Sequence, residues 1–168
     1  MFYTELFRRL EDAGVRYLVV GGIAVNLHGV SRLTHDVDLM LALDPENLRR
    51  FVAVAKRYSF KPVAPVEVED LADPEKVRDW IENKRMLAFG LRPQNPVEPI
   101  VDILVKPPVD FEEAYSRRVV ADVEGQKIAV ASVVDIITMK TGTGRAKDQD
   151  DIAMLKRLGE LDGTSERR

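Results

Sequence analysis

Apolar positions in this chain recur at two spacings, near 3.6 residues and at 2, and the switches between them mark the elements. Residues 3–13 set Leu6, Phe7 and Leu10 on one helical face, and Gly14 stops the run. VRYLVV reads as a buried strand. GGIAVNLHG reads as a short helix started by a glycine turn and ended at Gly29, and DVDLMLAL as a second strand. DPENLRRFVAVAKRYSF is a helix with Asp44 as N-cap, Pro45 at its first position and Leu48, Phe51, Val52 and Ala55 along one face. The pattern weakens from Lys61 to Pro99. There DPEKVRDWIENKR is helical from its Asp-Pro start, RMLAFGL is a strand and RPQNPVEP is a loop. PIVDILVKPP is a strand bounded by prolines, and DFEEAYSRR is a short helix. VVADVEGQKIAVAS forms a hairpin turning at Glu124-Gly125. SVVDIITMKTG is a helix capped by Ser132, and KDQDDIAMLKRLGEL is a last helix before a flexible tail over 162–168. No repeat, low-complexity stretch or linker divides the chain. The expectation is one α/β (α+β) domain over residues 1–168.

The second strand raises the first chemical question. Asp36 and Asp38 sit two apart in an apolar run, so on a strand they face the same way. Two ionised carboxylates on one apolar strand are costly unless a cation neutralises them. Alone, D-x-D is better explained as a strand end meeting water or a helix N-terminus. A third acid shifts the balance. Asp102 interrupts PIVDILV in the same manner, sharing a face with Ile100 and Leu104. Its alternative partner is a nearby Arg or Lys. Three oxygen ligands on two strands suit magnesium or manganese and not zinc. Carboxylates that hold two such ions are the logic of in-line phosphoryl transfer.

Upstream, a strand runs into Gly21-Gly22 and then a helix. That arrangement lets backbone approach a phosphate, or it is simply a tight turn needing positive φ. It is neither a Walker loop nor G-x-G-x-x-G. Between glycines and acids, Arg32 and Thr34 either approach the site, with Arg32 offsetting phosphate charge, or are ordinary loop residues. Neither His28 nor His35 has a supporting ligand pattern, and His28 is accounted for by capping and the helix dipole. Lys140 ends an apolar helical segment, and Gly142, Gly144, Arg145 and Lys147 follow it. Those cations either reach a triphosphate or line an ordinary loop. Asp148 reads as the N-cap of the last helix, with Asp151 one turn along.

Composition narrows the classes. Of 168 residues, 45% are hydrophobic and 32% charged, a globular balance. The net charge of -3 argues against broad nonspecific nucleic-acid binding but leaves room for a local basic patch. With no cysteine there is no disulfide, thiolate zinc site or thiol nucleophile. No apolar run suits a membrane helix and the first residues carry acids, so a cytoplasmic protein without a membrane partner is expected.

Taken together, VVGGIAVNLHGVSRLTHDVDLML and the later PIVDILV resemble the DNA polymerase beta-like nucleotidyltransferase superfamily, over roughly residues 15 to 105. That signature is a small-residue pair, here Gly21-Gly22, then an Asp-x-Asp/Glu, here Asp36 and Asp38, then a third strand acid, here Asp102. DIITMKTGTGRAKDQDDIAML resembles the end of minimal nucleotidyltransferases of the abortive-infection toxin type. In that branch a lysine matching Lys140 contributes to nucleotide handling, and an acid matching Asp148 is a motif residue. The resemblance implies a nucleotidyltransferase fold, a mixed sheet flanked by helices with a C-terminal helical segment. It implies Mg2+ or Mn2+ on Asp36, Asp38 and Asp102, with Gly21, Gly22, Arg32, Thr34 and Lys140 at the nucleotide. The implied reaction moves a nucleoside monophosphate from a nucleoside triphosphate to a hydroxyl of RNA, tRNA or protein, as one half of a toxin–antitoxin pair. The same stretch resembles aminoglycoside- and lincosamide-modifying enzymes, so a small-molecule acceptor is the alternative. A non-catalytic nucleotide- or partner-binding module is a third reading. One position departs from the superfamily pattern: Gly22 stands where serine is common.

Overall fold

The computed structural model describes residues 2–165, the last five as backbone only. Helix α1 (Phe2–Asp12) leads through Gly14, at φ 65°, into strand β1 (Tyr17–Val20), and helix α2 (Gly21–Leu27) follows without a gap. Strand β2 (Val37–Leu41) runs back beside β1, and helix α3 (Pro45–Arg57) follows, with Asp44 accepting the backbone N–H of Asn47 as its N-cap. Then come a two-residue strand β3 (Lys61–Pro62), a short 3-10 helix (Val68–Ala72), helix α4 (Pro74–Glu82) and strands β4 (Ala88–Arg92) and β5 (Val101–Leu104). Helix α5 (Phe111–Ser116), the hairpin β6 (Val119–Val123) and β7 (Gln126–Val130), helix α6 (Val133–Lys140) and helix α7 (Ala146–Ser165) complete the chain. The hairpin turns through Glu124 and Gly125, at φ 52° and 82°, the double positive φ that a two-residue turn matched to strand twist requires.

The strands form one mixed sheet in the order β3-β4-β5-β2-β1-β7-β6. The pairs β1–β7 and β2–β5 are parallel and the others antiparallel. Strand alternation gives the sheet two unlike faces. Tyr17 and Val19, Val37, Leu39 and Leu41, Phe89 and Leu91, and Val101 and Ile103 share one face and are buried. Phe7 of α1 stacks on Tyr17 and Trp80 of α4 stacks on Phe89, so helices seal this face. The opposite face carries Asp38 and Met40 on β2, Asp102 and Leu104 on β5, and Ala88, Gly90 and Arg92 on β4. Here α2 packs on β1 and β2, α6 on α2, and α7 on α6.

Three details depart from the sequence reading. Strand β2 begins at Val37, so Asp36 is the exposed residue just before it. Strand β3 and the 3-10 helix lie where the pattern was weakest, and pairing supplied by β4, not periodicity, holds β3. Helix α7 starts at Ala146, so Asp148 is inside its first turn and is not its N-cap. The helix also takes in 162–165 of the expected tail, and 166–168 lie outside the described residues.

Candidate active site

The parallel register of β2 and β5 sets Asp38 directly beside Asp102. Both point to the face that helices α1 and α4 leave alone, because each alternates with a fully buried aliphatic neighbour: Val37 and Leu39 on β2, Val101 and Ile103 on β5. Asp36 precedes β2 by one residue and stays in electrostatic reach of both. The strand register thus sets Asp38 beside Asp102, with Asp36 just before the start of β2 at the same end of the sheet.

The glycine pair is shaped by its neighbours. Gly21 has φ 63°, and a Cβ there would stand 1.9 Å from Asp38 Oδ2. Only glycine permits both that backbone angle and that approach. A Cβ on Gly22 would stand 2.4 Å from Thr34 Oγ1 and 3.3 Å from Arg32 Cζ. The loop between glycines and acids therefore folds back over the turn and does not merely connect. Asn26 pins it by bonding Arg32 in both directions, donating to its carbonyl at 3.0 Å and accepting its backbone N–H at 3.2 Å. This contact also explains Gly22: Thr34 fills the space a serine side chain would use.

The acids repel. Burial, then Asp102, then Asp36 push the Asp38 carboxyl up to about 6, against the opposing pull of Lys140 and the Gly22 backbone hydrogen bond. Burial and then Asp36 raise Asp102 as well. Burial and Asp36 raise the Tyr3 phenol, whose hydroxyl donates to the His35 carbonyl at 3.4 Å. The site thus holds more negative charge than its surroundings offset. Among the described residues, no three His, Cys, Asp or Glu side chains are drawn together as a ready-made metal cage. The donor chemistry nevertheless fits a divalent ion of the magnesium class: three carboxylates, all hard oxygen, with an uncompensated charge that a cation would relieve.

Lys140, Arg32 and the α7 acids form a second layer. Lys140 is 7% exposed, and its Nζ donates to Asp148 Oδ1 at 2.7 Å and pairs with Asp151 Oδ2 at 2.8 Å. Arg32 Nη1 donates to the same Asp151 oxygen at 2.5 Å. Asp148, fully buried, also accepts from Thr143 Oγ1 at 2.8 Å and Arg145 Nε at 2.6 Å. Burial pushes the Asp148 carboxyl up, but these donors outweigh it and hold the group at about 2. Asp148 is therefore the anchor for Lys140 and Arg145, which is why it is not a cap. Asp151 couples α7 to the site loop through Arg32. Sequence reasoning underrated this pair, although their i,i+3 spacing on one helix face opposite a lone apolar-flanked lysine was a usable signal. It missed Gly90 on β4, opposite Asp102, where a Cβ would stand 3.0 Å from Asp102 Oδ1. Lys147 is exposed and stands apart from the cluster. His28 is no simple cap either: its Nε2 makes a 2.8 Å hydrogen bond to the carbonyl of Ala131, tying α2 to the segment before α6.

Comparison with known proteins identifies a family and a fold. A family model described as a nucleotidyltransferase of unknown function, DUF6036, matches residues 4–163. No curated protein sequence matches the chain. Among solved structures, the lincosamide antibiotic adenylyltransferase LnuA with bound lincomycin superposes with a TM-score of 0.57 at 16% identity, over 88% of this chain and 89% of that one. An antigenic nucleotidyltransferase-like protein from Paracoccidioides brasiliensis gives 0.57 at 21% identity, over 92% and 73%. ANT(2")-Ia in complex with adenylyl-2"-tobramycin gives 0.59 at 13% identity, over 96% and 90%. At these identities the likeness is one of fold: a mixed sheet flanked by helices.

Proposed function

Since the chain belongs to the nucleotidyltransferase family DUF6036, we propose that it is a metal-dependent nucleotidyltransferase whose site is the Asp36, Asp38 and Asp102 cluster. The observation that carries this reading is the side-by-side register of Asp38 and Asp102 next to the Gly21 turn. In the reaction, an acceptor hydroxyl oxygen bonds the α-phosphorus of a nucleoside triphosphate. The bond to the pyrophosphate oxygen breaks, and pyrophosphate leaves. Asp36, Asp38 and Asp102 would hold Mg2+ or Mn2+, and the ion when bound supplies charge neutralisation and Lewis acidity at the phosphates. Asp102, at the edge of the cluster away from the glycines, takes the proton of the acceptor hydroxyl. Gly21 and Gly22 let the triphosphate approach the backbone at the start of α2. Thr34 offers beside Gly22 a hydroxyl that the small-residue pair itself lacks. Arg32 and Lys140 set a positive field there and are kept in place by Asp151 and Asp148.

The acceptor favoured by this reading is a macromolecular hydroxyl, on RNA, tRNA or protein, and the wider role is that of a toxin held in check by an antitoxin protein. The test is incubation with magnesium, each α-labelled nucleoside triphosphate, and total tRNA or total protein. Label should move to one acceptor class in the wild type and not in Asp36→Ala. Equal transfer by the variant would refute the assignment. A second reading draws on the fold shared with adenylyltransferases of lincomycin and tobramycin. It expects drug resistance when the chain is expressed, and unchanged susceptibility would exclude it.

A further inference from the structure

The register of the sheet extends the site beyond Asp102. Crossing from β2, the residues in line are Asp38, Asp102 and Gly90, and then Val63, whose backbone N–H donates to the Gly90 carbonyl at 2.8 Å. Two residues along, on the same face, β4 presents Arg92 and β3 presents its register partner Lys61. The glycine turn follows β1, on the far side of β2, so the triphosphate end and this end lie on opposite flanks of the acids.

Three properties mark the β3–β4 flank as a binding surface. Gly90 lets the Asp102 and Val63 side chains close over the strand between them: a Cβ there would stand 3.0 Å from Asp102 Oδ1 and 3.1 Å from Val63 Cγ2. Val63 is 50% exposed and gives this flank an apolar edge beside Asp102. Arg92 and Lys61 are both exposed, and among the described residues neither forms an ion pair or a side-chain hydrogen bond. Two like charges on neighbouring strands repel, and an acid on either side would relieve them. Among the described residues, Arg8, Arg9, Arg16, Arg50, Lys56, Lys76, Arg78 and Lys127 each have such a partner.

We infer that Arg92 and Lys61 bind a phosphate of the acceptor, and that the acceptor is the end of an RNA strand. The inference rests on the nucleotidyl-transfer reading for the position of the reacting hydroxyl. From strand spacing and rise, the Cα atoms of Arg92 and Lys61 lie about 8 and about 12 Å from that of Asp102. That span suits a terminal nucleotide with its hydroxyl at Asp102, its sugar and base over Gly90 and Val63, and the adjoining phosphate between the two cations. A polycationic aminoglycoside would meet Arg92 and Lys61 as like charges. Phosphate binding here also reconciles an acidic chain with a nucleic-acid substrate, since the contact is local.

The test measures a fluorescein-labelled 12-nucleotide single-stranded RNA binding to the full chain by anisotropy. It is run in parallel with label transfer from nucleoside triphosphate to the same RNA. Both side chains are exposed, so K61Q/R92Q is expected to fold, which circular dichroism checks. RNA affinity should fall at least tenfold, and the slope of log affinity against log salt should fall by about 0.7, the share of one phosphate on a single strand. K61R/R92K should retain binding. Nucleotide binding, followed with manganese and ATP, should be unchanged. RNA affinity and salt slope equal to wild type in K61Q/R92Q would overturn the inference, whatever the activity. So would label transfer to kanamycin or lincomycin in preference to RNA. If RNA binding depends on the pair but wild-type protein transfers no label to any acceptor, the inferred RNA surface stands and the nucleotidyl-transfer reading fails.

Discussion

Replacing Lys140 by methionine separates its structural role from its electrostatic one. Methionine keeps the apolar stem and removes the ammonium that donates to Asp148 and pairs with Asp151. Removing one partner of a buried ion pair costs roughly 3–5 kcal/mol, because the other charge stays buried and uncompensated. Asp148 would keep Thr143 and Arg145, and Asp151 would keep Arg32, so the lower end applies, about 3 kcal/mol. For a chain of this length that lowers Tm by roughly 6–12 °C. The pH dependence provides an internal check. The Asp148 carboxyl drops from 3.8 to about 2 on folding, so its contribution is fully present above pH 3.8 and is lost as pH falls through 2. That shift corresponds to about 2.5 kcal/mol, a share of which belongs to Lys140. Urea unfolding of wild type and Lys140→Met at pH 7 and at pH 2 should show a gap of about 3 kcal/mol that narrows in acid. A gap below about 1 kcal/mol at pH 7, or one unchanged at pH 2, would refute the anchoring role.

Other consequences follow from the same geometry. Gly21→Ala would push a Cβ onto the Asp38 carboxylate and force alanine into a left-handed backbone, costing about 1–2 kcal/mol from the backbone alone and abolishing transfer; full activity would show that the turn does not abut the acid. Gly90→Val should lower kcat/KM for the acceptor at least tenfold with nucleotide affinity unchanged, as isothermal titration with ATP and manganese can check, because the added side chain stands on the acceptor side of Asp102. Removing divalent ions with EDTA should abolish transfer, and Mn2+ or Mg2+ should restore it while Ca2+ does so poorly, since Mg2+ demands a tight octahedron at about 2.0–2.1 Å and Ca2+ takes longer, looser coordination.

Much of this arrangement was legible in the chain before the fold was seen. Sequence pattern located each described α-helix, though not the 3-10 helix, and Asp44, Asp73, Asp110 and Ser132 each accept the backbone N–H that a cap should. The trio of acids was readable because charge is expensive in an apolar strand. It took the sheet, however, to reveal that Asp38 and Asp102 are direct register neighbours. The order β5-β2-β1 is nonlocal information that no window of residues carries. The misreading of Asp148 has the same origin. An acid near a helix start is a cap in local terms, whereas here α6 delivers Lys140 and the turn residue Arg145 to it, and tertiary pairing prevails. Gly90 was invisible because its meaning lies in what its missing side chain would have touched on the next strand.

The central claim is that Asp38 and Asp102 carry nucleotidyl transfer, and it is tested most directly with two labels on one substrate. Wild-type protein, magnesium and RNA are incubated with ATP, and with each other nucleoside triphosphate in turn, labelled at either the α- or the γ-phosphate. The account predicts that α-label becomes bound to the acceptor while γ-label leaves as pyrophosphate, and that Asp38→Asn and Asp102→Asn each lower both signals by at least a hundredfold. Transfer of the γ-label, or wild-type rates in either variant, would contradict it.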